Sequence, residues 1–200
     1  HGDIFSYELS WQNRRIIVDS GNFDYESSDM RTYCRSTKAH NTVELDDKDQ
    51  SDFWGTFRVG KRASPKELNF KDSNNGFHLD GFHNGYRDHW GNAIHRRSID
   101  YHTSQGLQIT DSIESNKIVK AISRIHFHPD CQIINFNNQH LLITNCDVNC
   151  KIRWDLKSEA ILEDFFYCPK FNTKYTSKSL ALIQHGLNFK IQYKVSFSMA

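Results

Sequence analysis

The first strand-like signal comes early. Phe5, Tyr7, Leu9 and Trp11 alternate with Ser6, Glu8 and Ser10, the period of two expected of a half-buried strand. Gln12-Asn13 then turns the chain into a second short apolar run, Arg14 to Val18. Residues 20–38 mix Ser, Asp, Asn, Tyr and Arg without a sustained period and read as a long loop. Thr42-Val43-Glu44-Leu45 reads as a strand ending at the turn Asp46-Asp47-Lys48-Asp49, Phe53 to Val59 as another, and Arg62 to Phe70 as its return. Residues 72–92 carry a dense Gly, Asn, His and Asp mixture with Phe77, Phe82, Tyr86 and Trp90 interspersed, and read as loop. Beyond Ile94 the pattern predicts strands near 94–102, 106–114, 120–128, 131–136, 140–145, 149–154, 161–166, 179–184 and 187–198. No stretch carries a helical stripe. Many short strands at close spacing predict an all-β fold, an antiparallel β-sandwich of many short strands.

Composition narrows the functional classes. The 25 basic and 24 acidic side chains leave a formal charge of +1, which argues against a broad electrostatic footprint for nucleic acid or an anionic membrane. A local basic cluster for an acidic ligand stays open. No apolar run approaches the ~20 residues of a spanning helix. Two hundred residues with three prolines and no low-complexity tract predict a single domain without an internal linker. The five cysteines, Cys34, Cys131, Cys146, Cys150 and Cys168, are odd in number and irregular in spacing, so free or buried thiols are expected. There is no glycine-rich phosphate loop, no G-x-S-x-G elbow and no dinucleotide fingerprint.

The candidate chemistry lies in the first third of the chain. His1, Asp19 and His40 stand at or beside the ends of strand-like runs, and two imidazoles with a carboxylate are a donor set suited to zinc. Their separation means that only the fold can bring them together. Arg35 and Arg31 lie between these residues, and a guanidinium suits a bidentate grip on carboxylate or sulfate, Arg35 being better placed because it lies close to His40. Tyr25 shares that loop. Trp54 reads first as core beside a strand of aromatics, with stacking on a sugar face as the alternative. His126 and His128, two apart on a strand, share a face and invite a cupin-like metal reading, but Pro129 ends the strand and structural roles are expected. His78, His83, His89 and His95 form a His-rich stretch for which a substrate-facing loop and a solvated loop stay equally open.

Four ordered blocks within residues 1–63 carry a resemblance. They are His1-Gly2-Asp3-Ile4-Phe5-Ser6-Tyr7-Glu8-Leu9, Ile17-Val18-Asp19-Ser20-Gly21, Arg35-Ser36-Thr37-Lys38-Ala39-His40-Asn41-Thr42-Val43 and Asp49-Gln50-Ser51-Asp52-Phe53-Trp54-Gly55. Together they resemble the C-terminal β-sandwich region of the heparinase II/III-like polysaccharide lyases. Gly85-Tyr86-Arg87, His95-Arg96-Arg97 and His126-Phe127-His128-Pro129 fit more weakly. The resemblance implies that residues 1–200 are the C-terminal β-sandwich of a larger protein, preceded by a helical toroid domain missing here. It implies a zinc or other divalent metal held by His1, Asp19 and His40. It also implies β-elimination on an acidic, uronate-containing polysaccharide, with Arg35, Trp54 and Tyr25 as substrate contacts. The catalytic groups are expected upstream of His1, including a histidine two positions before it and a toroid tyrosine, so the fragment alone is expected to be inactive. Placement is expected to be periplasmic or secreted; the oligomeric state is open. The alternative is a non-catalytic polysaccharide-binding or accessory module.

Overall fold

The computed structural model describes residues 1–87 and 92–199. It is built almost entirely of antiparallel strands: β1 (Leu9–Trp11), β2 (Arg14–Ile17), β3 (Val43–Leu45), β4 (Phe53–Trp54), β5 (Arg58–Val59), β6 (Pro65–Ser73), β7 (Gly76–His83), β8 (Ile94–His102), β9 (Gly106–His126), β10 (Gln132–Phe136), β11 (His140–Asn145), β12 (Val148–Trp154), β13 (Glu159–Lys170) and β14 (Thr173–Met199). One helix, α1 (Asp29–Arg35), and a 3-10 turn, Thr37–Ala39, interrupt them. The large sheet has ten strands in the order β10-β11-β12-β14-β9-β8-β7-β6, with β13 also pairing β14 and β3 also pairing β9.

Two long strands organise the molecule. Gly106–His126 pairs along nearly its whole length with the Ser179–Val195 stretch of Thr173–Met199, with a register break between Gly186 and Asn188. Beyond that break β14 pairs with β12, and before it with β13. Each long strand therefore serves two groups of neighbours. The sequence resolves each into two strands, because the polar Ser115-Asn116-Lys117 and Gly186 interrupt the apolar alternation where the backbone nevertheless stays extended.

Alternation decides which face is buried. Leu141, Ile143, Val148, Cys150 and Ile152 from β11 and β12 share one core with Ile99, Leu107, Ile109, Ile113, Ile125, Leu180, Leu182, Ile191 and Val195. Ile16, Ile17, Val43 and Tyr86 join the same cluster, and Tyr7, Leu9 and Trp11 pack against it. The two ends of the sheet, β6 and β10, are exposed along their length. In β6, Pro65, the lysines and a register break beside Glu67 (φ 48°) make a poor template for further pairing.

Four expectations need correction. Residues 20–38 contain α1 and the 3-10 turn; the helix was hidden because its buried face presents Arg31, Cys34 and Arg35 in place of an apolar stripe. Ser28 caps it, accepting from Arg31 N at 2.9 Å. Much of the stretch 72–92 is strand β7, whose outer face is held by polar pairs: His78 Nδ1 lies 2.6 Å from Asp100, and Arg96 reaches Asp80 at 2.7 Å. The expected strand 53–59 is two two-residue strands around Gly55 (φ 56°), and the expected strand from Phe5 begins only at Leu9 because Phe5 adopts φ 63°. His89 and Trp90 lie outside the described residues. All five cysteines carry free thiols, as expected.

Candidate metal centre

The site forms where the N-terminal segment crosses the turn after α1. Gly2 N donates to Arg35 O at 2.9 Å. A Cβ on Gly2 would stand 2.4 Å from Thr37 Oγ1, so only glycine lets the two backbones approach this closely. Thr37 in turn is fixed by Asp49, whose Oδ1 accepts from Thr37 N at 2.6 Å, and by Gln50, whose N donates to Thr37 Oγ1 at 2.9 Å. Burial pushes the Asp49 carboxyl up, against the pull of Thr37. The outcome is that His1 and Asp3 are carried to His40, with the His1 and His40 ring centroids 5.3 Å apart.

Asp19, on the turn after β2, defines the chemistry of His40. Its Oδ2 lies 2.6 Å from His40 Nδ1, and its Oδ1 accepts from Gly21 N at 2.9 Å. Burial would raise the Asp19 carboxyl, but the hydrogen bonds with His40 and Gly21 outweigh this and hold it below the usual range. A carboxylate on Nδ1 fixes the proton there and leaves the lone pair of His40 Nε2 free. That atom is buried and has no hydrogen-bond partner among the described residues. His1, Asp3 and His40 each place one donor atom within 4.8 Å of the others, and theirs is the one group of at least three metal-ligating side chains found among the described residues. A histidine with an orphaned ring nitrogen, grouped with a second imidazole and a carboxylate, fits a divalent ion with nitrogen and oxygen preferences.

Sequence reasoning named His1, Asp19 and His40; the structure groups His1 and His40 with Asp3, which went unselected, and sets Asp19 behind His40 on its Nδ1. A two-residue spacing from His1 in an extended segment was the available signal for Asp3. The turn carrying Asp19 depends on Gly21, at φ +76°, where a Cβ would stand 2.2 Å from Cys168 O. Gly21→Ala is expected to cost about 1–3 kcal/mol by urea unfolding, from backbone strain and the forced shift of β13.

The residues expected to meet a substrate divide. Arg35 is only 4% exposed, and its guanidinium donates to Gly55 O at 2.6 Å and Arg58 O at 2.8 Å while lying over the Phe53 ring. It holds the β4–β5 hairpin to α1. Tyr25 and Trp54 are 55% and 53% exposed, so Trp54 is not core. Tyr25 stacks with Phe57 and Phe171, and the Arg31 guanidinium lies against both the Tyr25 and Phe57 rings while its Nη1 stands 3.5 Å from His1 Nε2. An exposed aromatic patch thus adjoins the donor group.

His126 and His128 are structural in their contacts. His126 is buried against Phe165, its Nδ1 facing Asn41 Oδ1 at 3.0 Å and its Nε2 facing Lys38 O at 3.2 Å, whereas His128 lies against Tyr167. Burial, with help from Arg124 and His40, drops the His126 imidazole to about 3. A cupin-like centre on this pair has no support. A buried chain unseen in the sequence runs from His83 Nε2 to His95 Nδ1 (3.0 Å), from His95 Nε2 to Asp111 (2.8 Å), and on to Arg97.

The heparinase II/III-like C-terminal family model matches residues 1–196, and the chain belongs to that family. Among solved structures, the chain is similar to a heparinase III gene product (TM-score 0.80, 18% identity) and to the heparan sulfate lyase HepC from Pedobacter heparinus (TM-score 0.82, 16% identity). Each match covers 100% of this chain but only 30% and 31% of those proteins. A further heparinase III structure aligns at TM-score 0.78 and 14% identity, over 100% of this chain and 30% of that one. No curated protein sequence matches the chain. The expected antiparallel β-sandwich and its family are therefore as the sequence indicated. No described helix is long and apolar enough to cross a membrane.

Proposed function

We propose that this chain is the β-sandwich domain of a polysaccharide lyase that cleaves an acidic, uronate-containing polysaccharide by β-elimination. The family membership supports the lyase reading, and the buried, unpartnered Nε2 of His40 carries the role assigned to this domain. His1, Asp3 and His40 hold a divalent ion, zinc by the chemistry of the donors, with Asp19 behind His40 fixing its tautomer. The resemblance puts Asp19 itself in the ligand shell; its 2.6 Å contact with His40 Nδ1 favours the supporting role. Bound there, the ion would supply positive charge and cross-link the N-terminal segment to the 36–42 turn.

In β-elimination a base takes the proton beside the uronate carboxylate, that carboxylate is neutralised, and an acid protonates the leaving oxygen. The base and acid belong upstream of His1, in a preceding helical domain, which leaves this domain inactive alone. Its contribution is one wall of the cleft, with Tyr25, Phe57, Phe171 and Trp54 offering ring faces to pyranose C–H groups. We place the protein in the periplasm or outside the cell, where such polymers are met.

The test is metal content and acidic-polysaccharide cleavage in the full-length protein. About one zinc per chain is expected, abolished by Asp3→Ala and weakened about 10–100-fold by Asp19→Ala. The unsaturated product should appear by its ultraviolet absorbance. Equal, complete zinc loss in both variants would return Asp19 to the ligand shell. Metal without cleavage of any acidic polymer would favour a binding module, a reading the exposed aromatic patch also supports.

A further inference from the structure

We propose that Arg97 is a positioning residue for the donor group, a buried clamp that sets the separation between the segment bearing Asp3 and the segment bearing His40. The inference rests on the metal reading above. Arg97 sits on β8, fully enclosed. Its Nε and Nη2 donate to the two oxygens of Asp111 at 2.7 and 2.8 Å, the fork geometry that a planar guanidinium matches. An ordinary buried ion pair would stop there. The remaining nitrogen, Nη1, instead donates to two backbone carbonyls far apart in sequence: Phe5 O at 2.9 Å and Asn41 O. Phe5 lies two residues after Asp3, and Asn41 follows His40. One nitrogen thus bridges the two strands of chain that present the donors.

The clamp is itself held still. Asp111 also accepts from Ser123 Oγ at 2.8 Å and faces His95 Nε2 at 2.8 Å. His83 Nδ1 accepts from Gly85 N, which puts the His83 proton on Nε2, where it donates to His95 Nδ1; the His95 proton then lies on Nε2, toward Asp111. Every polar atom in the chain has one assigned role, so Asp111 cannot turn and Arg97 cannot follow it. Phe5 meets the clamp in the left-handed region, φ 63°, with its ring against those of His83 and His95. Lysine keeps the charge but lacks the fork, and it cannot serve Asp111 and both carbonyls from one rigid plane.

The experiment is a zinc competition titration of the full chain as wild type, Arg97→Lys and Ile143→Val, the last a core change on β11 outside the clamp, with urea unfolding of each. Arg97→Lys is expected to lose at least tenfold in zinc affinity, as supporting contacts of metal ligands do, while Ile143→Val stays within twofold. A folded Arg97→Lys protein within twofold of wild type overturns the proposal. Should Arg97→Lys fail to fold, Ser123→Ala loosens Asp111 more gently: at least threefold weaker zinc binding supports the clamp, and unchanged binding overturns it. If wild type takes up no zinc, the metal reading fails by itself. Amide exchange then judges the clamp alone, with tenfold faster exchange at Ile4, Ser6 and Thr42 in the variant for it and unchanged exchange against it.

Discussion

The metal-free chain should lose stability between pH 7 and pH 5, by about 2 kcal/mol from His126 alone and further through two other buried imidazoles. The cause is three buried imidazoles. Burial holds His83 well below its ordinary value, with the His95 and Arg97 charges adding to the effect. Burial also lowers His95, and its hydrogen bond to Asp111 recovers only part of that shift. His126 falls to about 3 through burial, Arg124 and His40. All three have folded values below the unfolded one, so the sign is fixed: as pH falls through about 6.5 the unfolded chain takes up protons that the folded chain refuses. His126, at about 3, costs up to about 1.4 kcal/mol per pH unit, or about 2 kcal/mol by pH 5, and His83 and His95 add losses of the same sign. Asp111 and Asp19, held below the ordinary carboxylate range, add their own loss only under about pH 4. Urea unfolding with a chelator present, at pH 7 and pH 5, measures the difference. A His83→Gln variant should flatten the slope. Equal stability at the two pH values would mean that these imidazoles become protonated in place, and the buried chain as described would be wrong.

The same network shows what the sequence could and could not disclose. Period-two alternation is a local property, and it placed the strands at 94–102 and 140–145 where the structure has them. It lost α1, because the face that helix buries carries two arginines whose partners, Thr56 O, Gly55 O and Arg58 O, lie on a distant hairpin. It lost β7 for a related reason: His78 and Asp80 look like loop residues until β8 supplies Asp100 and Arg96 across the ladder. His1 and His40 were legible through motif blocks, as was Asp19. Which of them holds and which supports depends on the 2.6 Å contact between Asp19 and His40 Nδ1, a distance with no local signature. Arg35 illustrates the opposite error, since a guanidinium close to His40 in sequence is spent on backbone carbonyls.

Replacing Asn41 should be the most damaging single change in the ligand-bearing turn. Asn41 is fully buried, and its Nδ2 donates to Tyr7 O at 2.8 Å and Val18 O at 2.9 Å. Its Oδ1 accepts from His126 N at 2.7 Å and faces His126 Nδ1 at 3.0 Å. One amide thereby ties the segment before β1, the end of β2 and the end of β9 to the residue after His40. Asn41→Ala strands two carbonyls and an N–H in a place without room for bulk water. At about 1–3 kcal/mol for each buried group left unpaired, the loss should reach roughly 3–9 kcal/mol. Asn41→Asp keeps the size but turns an oxygen toward two carbonyl oxygens, so it should be no milder than Ala at neutral pH, and partial recovery is expected where its carboxyl protonates. Zinc affinity should fall in both, because His40 loses the neighbour that fixes its backbone. A cost under about 1 kcal/mol in Asn41→Ala would mean that water or a shifted side chain replaces the amide. In that case the turn would be far more pliable than its hydrogen bonds imply, and a rigid donor group facing His40 Nε2 would lose its structural basis.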